Sequence, residues 1–79
     1  MDDDAILRRI HELVDEEHGL EQGKAGVGLS DADHERLRQV ETALDQCWDL
    51  LRRRRARRSA GLPDDVDARD PSVVEGYLQ

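Results

Sequence analysis

Residues 37–51 read Leu37-Arg38-Gln39-Val40-Glu41-Thr42-Ala43-Leu44-Asp45-Gln46-Cys47-Trp48-Asp49-Leu50-Leu51, and this stretch decides the class of fold the chain can form. Leu37, Val40, Leu44, Cys47 and Leu51 recur at steps of 3, 4, 3 and 4. That is the heptad seam of a helix and excludes the strict alternation of a half-buried strand. Ala43, Trp48 and Leu50 lie beside the seam. Upstream, Ser30 supplies a capping hydroxyl, and Asp31, Asp33 and Glu35 load the first turn with acid, where the helix dipole favours it. Downstream, Gly61 and Pro63 end the helix near Ser59, giving a rod of roughly 40 Å.

A second amphipathic stretch precedes it, over about residues 4–21. Ile6, Ile10, Leu13, Glu17 and Leu20 step by 4, 3, 4 and 3, with Leu7 and Val14 widening the stripe. Asp2, Asp3 and Asp4 stand at its start as cap and dipole partners. Between the two helices, residues 22–29 contain Gly23, Gly26 and Gly28 and break the period, as a connection would. The predicted organisation is a helical hairpin over residues 1–60, followed by a flexible acidic tail over 61–79. In that tail Ser72-Val73-Val74-Glu75 has the form of a capping box, and Val73, Val74, Tyr77 and Leu78 make a short apolar peptide that orders on docking.

Folding the chain back at the glycines aligns the seams in antiparallel layers: Leu20 on Leu37, Glu17 on Val40, Leu13 on Leu44, Ile10 on Cys47 and Ile6 on Leu51. The same register sets Asp2–Asp4 beside Arg52–Arg55, so charge and hydrophobicity agree on one arrangement. A lone hairpin buries only the strip between its helices. Leu7, Val14, Trp48 and Leu50 are then expected to stay largely in water, although each such side chain contributes about 1.5–3 kcal/mol when buried. A homodimeric four-helix bundle would cover them. The alternative is a monomer in which Val73–Leu78 covers the stripe. Chains of 79 residues with one cysteine have neither the core nor the disulfides to stand alone easily, which favours the dimer.

Composition narrows the chemistry. The net charge is −7, against a general nucleic-acid or membrane-surface binder, and no apolar run approaches a membrane span. With no secretory leader and the single Cys47, the expected setting is the reduced cytoplasm. His11, Asp15 and His18 share one helical face, and Asp15–His18 and Asp31–His34 each place an acid three residues before a histidine. Glu-x-x-His spacings of this kind hold iron in carboxylate-bridged bundles, but there the ligands point into the core. Here the histidines lie off the seam, and solvated side chains are the favoured reading. The six arginines between Arg52 and Arg58 could grip phosphates, yet no stacking or base-reading groups are interleaved with them. A solvated or internally paired basic face is favoured. Cys47 on the seam reads as a small core residue, and Trp48 as an interface anchor. No nucleophile–base set and no phosphate-binding glycine loop is present in the sequence.

Three blocks carry a resemblance: Ile6-Leu7-Arg8-Arg9-Ile10-His11-Glu12-Leu13-Val14-Asp15-Glu16-Glu17-His18, Leu44-Asp45-Gln46-Cys47-Trp48-Asp49-Leu50-Leu51-Arg52, and Val74-Glu75-Gly76-Tyr77-Leu78-Gln79. Together they resemble a family of small actinobacterial proteins catalogued as domain of unknown function 2630, over nearly the whole chain. The resemblance implies an actinobacterial cytoplasmic protein and lends no activity, cofactor or site. The sequence therefore predicts an all-α, non-enzymatic self-association and protein-interaction module without cofactor. Leu7, Val14, Trp48 and Leu50 form its expected oligomer interface, and Val73, Val74, Tyr77 and Leu78 its docking peptide. The alternatives are a weak metal-binding bundle using His11, Asp15, His18 and His34, and a nucleic-acid or acidic-protein binder acting through Arg52–Arg58.

Overall fold

Both helices begin where their caps place them. In the computed structural model, which describes residues 1–22 and 28–70, the backbone amide of Ala5 donates to Asp2 Oδ1 at 2.8 Å and starts α1, Asp3–Gln22. The amide of Asp33 donates to Ser30 Oγ at 3.1 Å and starts α2, Asp31–Ser59. At the far end of α2 the amide of Leu62 reaches back to the Arg57 carbonyl at 2.8 Å and that of Gly61 to Arg58 at 3.0 Å. This pattern closes a helix only when the residue after the cap adopts a left-handed conformation, and Gly61 does so with φ +74°. Pro63 follows and cannot continue the helix. Among the described residues there is no strand.

The two helices pack antiparallel and are tied at both ends. Near the glycine connection, Arg36 forks onto Glu16, with Nη2 donating to Oε1 at 2.7 Å and Nε donating to Oε2. At the open end, Arg54 Nε donates to Asp3 Oδ1 at 2.8 Å. Asp3 and Arg54 are the next rung after Ile6 and Leu51 in the 3, 4 alternation of the two seams. Between these ties lies one core: Ile6, Ile10 and Leu13 from α1 against Val40, Leu44, Leu50 and Leu51 from α2.

The segment after α2 departs from the expected flexible linker. Through Asp70 it runs back along α2, held by Arg54, whose Nη1 donates to the Asp64 carbonyl at 2.8 Å, and by Arg53, whose Nη1 donates to the Asp67 carbonyl at 2.7 Å. Gln46 Nε2 holds the Arg69 carbonyl at 3.1 Å. Val66 packs against the core cluster, and Ala68 shares a small cleft with Leu50 and Cys47.

This path corrects the expected exposure of the second stripe. Leu50, expected in water, is only 6% exposed, because residues 62–70 lie over its side of α2. Leu7 and Val14 are half-buried against the core, since neighbouring core side chains cover their inner faces. Trp48 alone of the four stays open, at 44%. The glycines Gly23 and Gly26 and the peptide Val73, Val74, Tyr77 and Leu78 lie outside the described residues.

Replacing Leu50 by alanine is expected to cost about 2–5 kcal/mol in urea denaturation, the range for truncating a buried leucine. Leu62→Ala, at a side chain 51% exposed, should stay within about 0.5 kcal/mol. Equal, small effects at the two positions would contradict the covering of Leu50 by the tail.

Candidate interaction surface

The basic block of α2 is the most chemically distinctive segment, and most of it is occupied by the chain itself. Arg54 and Arg58 share two carboxylates. Arg58 Nη2 donates to Asp3 Oδ2 at 2.6 Å and its Nη1 to Asp64 Oδ2 at 2.9 Å, while Arg54 holds Asp3 Oδ1 at 2.8 Å and Asp64 Oδ2 at 3.4 Å. Arg57 donates to the Pro63 carbonyl, and Arg53 to that of Asp67. These charge-assisted hydrogen bonds favour the ionised acids. Bonds from Arg58 and then Arg54 hold the Asp3 carboxyl down at about 2, below its ordinary 3.8. Arg58 likewise lowers Asp64. A helix whose guanidinium groups are spent on the start of α1 and on the tail has few left for phosphates. The phosphate-binding alternative loses Arg53, Arg54, Arg57 and Arg58 to internal work.

Asp49 is the functional-looking residue that sequence reasoning passed over. Its side chain lies on α2 between Trp48 and Leu50, yet the residue is 1% exposed. Its Oδ2 takes no hydrogen bond and is faced by the guanidinium nitrogens of Arg53 at 3.6 Å and Arg69 at 3.7 Å. The i, i+4 spacing to Arg53 was visible in the sequence. Arg69, twenty residues on, and the burial were not, because both depend on the return path of the tail.

The histidines are all on the surface. His11, His18 and His34 are exposed, as is Asp15. Among the described residues no three His, Cys, Asp or Glu side chains come together in a group that could hold a metal ion. Glu17, at a seam position, is half-buried at the edge of the core. Cys47 is half-buried against the core, and burial raises its thiol above the ordinary value, which disfavours the thiolate.

Among the described residues, one flank of the hairpin remains open. Glu17 from α1 and Glu41, Leu44, Asp45 and Trp48 from α2 line a shallow groove of about 390 Å³. Its floor is apolar and aromatic and its walls are carboxylates. Burial of an aromatic anchor and attraction of positive charge at the rim are the interactions such a surface is suited to. Among the described residues, no helix is long and apolar enough to cross a membrane.

Comparison with known proteins adds a family and no activity. The family model for "Protein of unknown function (DUF2630)" matches residues 2–79. An uncharacterized protein of Mycobacterium bovis and one of Mycobacterium tuberculosis are each 43% identical over 77 residues, covering 95% of this chain and 88% of the relative. No solved structure matches the chain.

The clamp at the open end has a pH signature. An acid whose folded pKa is depressed stabilises the fold above its unfolded value and loses that contribution as pH falls through the folded one. For Asp3 the window runs from about pH 4 down to about pH 2. Melting temperature is expected to fall across that interval, and the Asp3→Asn variant to fall less. Parallel pH profiles for the two proteins would show that Asp3 is not held by Arg54 and Arg58.

Proposed function

We propose that this chain, which belongs to the DUF2630 family of proteins of unknown function, is a non-enzymatic helical module that self-associates through the flank carrying Trp48. One observation carries this. The two sides of α2 are treated differently: Leu50 is covered by the chain's own residues 62–70, whereas Trp48 stands 44% exposed beside Leu44 in an open groove. A tryptophan in that position is the residue type that most often dominates binding energy when a partner arrives.

The size of the molecule supports the same conclusion. A chain of 79 residues has little apolar core of its own to bury. Two helices expose more surface than a small domain ordinarily keeps, and a second copy packed on the open flank completes a four-helix bundle. A homodimer is the commonest symmetric solution. Half-buried Leu7 and Val14 on α1 add apolar area to such an interface. We place the module in the cytoplasm, in accord with its unpaired Cys47 thiol.

Sedimentation equilibrium at high micromolar concentration should return twice the chain mass of 9.0 kDa. Trp48→Glu should raise the dimer dissociation constant about 30-fold or more, the factor for a hot spot of roughly 2 kcal/mol, while circular dichroism keeps its helical signal. A folded monomer for the unmodified protein under these conditions would sink the proposal.

A further inference from the structure

The open flank of α2 is organised symmetrically about Trp48. Glu41 lies seven residues before it and Arg55 seven residues after, and both are exposed. Seven residues make nearly two turns, so each side chain leaves the helix within about 20° of the Trp48 direction and about 10 Å from it along the axis. The face therefore reads acid, aromatic, base. Among the described residues neither the Glu41 nor the Arg55 side chain has an ion-pair partner, in contrast to Arg53, Arg54 and Arg58 of the same block. Glu17 of α1, which the helical register sets against Val40, borders the groove on the same side as Glu41 and adds a second carboxylate there.

A second copy can lie on this face in two directions, and charge chooses between them. Parallel helices would set Glu41 on Glu41 and Arg55 on Arg55, four like charges across one interface. Antiparallel helices related by a two-fold axis through Trp48 set Glu41 of each protomer on Arg55 of the other, twice. Like-charge juxtaposition across an interface is strongly unfavourable, and opposite-charge pairs fix register. Resting on the dimer proposed above, we infer that α2 pairs antiparallel with α2 of a second copy, Trp48 against Trp48 on the two-fold axis, with the partner's Arg55 seated between Glu17 and Glu41. Leu44 lies in the same groove and provides apolar surface beside the two indoles. Offset or edge-to-face stacking of the indoles is the favourable geometry at such an axis.

Charge reversal on the full chain tests the register separately from the dimer itself. Sedimentation equilibrium is measured for the unmodified protein, for Glu41→Arg, for Arg55→Glu, for the double variant, and for an equimolar mixture of the two single variants. Glu41→Arg puts two like-charge pairs in its own homodimer, Arg55→Glu, which meets both Glu17 and Glu41, puts four, and each should weaken it about tenfold or more. The double variant restores both 41–55 pairs in reversed sense but sets each new carboxylate at position 55 against Glu17, so it should bind more tightly than Arg55→Glu and more weakly than the unmodified protein. The mixture should form a heterodimer more tightly than either single variant dimerises alone. Both substitutions are at exposed positions, and circular dichroism checks that helical content is kept. A dimer whose single variants bind as well as the unmodified chain would overturn the antiparallel register and leave the dimer standing. A double variant as weak as Arg55→Glu would do the same. An unmodified chain that stays monomeric would overturn both.

Discussion

Arg54 and Arg58, gripping Asp3 and Asp64 together, form the interaction on which the rest of this small structure depends. The two arginines sit one turn apart on α2, and the two acids come from the first turn of α1 and from the segment beyond Pro63. Three parts of the chain that would otherwise fray are joined at one point. An isolated surface ion pair contributes little, but here four pairs share two acids and two bases, and Arg54 is itself buried. Once Asp64 is held there, the chain can only run back along α2, and the positions of Val66, Ala68 and Arg69 follow.

That return path determines which surfaces remain available. A two-helix hairpin has one seam and two flanks, and the tail covers the flank of Leu50, Cys47 and Gln46. It also shields Asp49, an acid that a bare hairpin would leave in solvent. The other flank, with Trp48 above a groove walled by Glu17, Glu41 and Asp45, has no such cover among the described residues. The asymmetry follows from chain length and direction: one extended segment runs along one side of a helix.

The basic block illustrates how a conspicuous sequence feature can serve an internal purpose. Six arginines within seven residues suggest an external anion. In the folded chain Arg54 and Arg58 satisfy acids at the N-terminus and tail, and Arg53 and Arg57 cap carbonyls of the returning segment. Arg54, the next position of the α2 seam, is buried against Asp3, while its neighbour Arg55 points to solvent. The reason is geometric, since adjacent residues on a helix differ in direction by about 100°.

The helices, their caps, the stop at Gly61 and the antiparallel register were legible from the sequence alone. Each rests on local chemistry: a 3.6-residue period, a capping oxygen before a helical run, a glycine that tolerates positive φ, acids that match bases at one end. The family, too, was recognisable from three blocks of residues. Which apolar side chains end up covered was not legible. Leu50 and Trp48 stand two residues apart with the same expected exposure, and they part because residues 62–70 pass over one of them. That segment has no periodicity to read, and its course is set by Asp64 meeting arginines already positioned by Asp3, which lies some fifty residues away in sequence. Burial of Leu50 and of Asp49 is a consequence of that long-range closure, so the tertiary structure alone decided it.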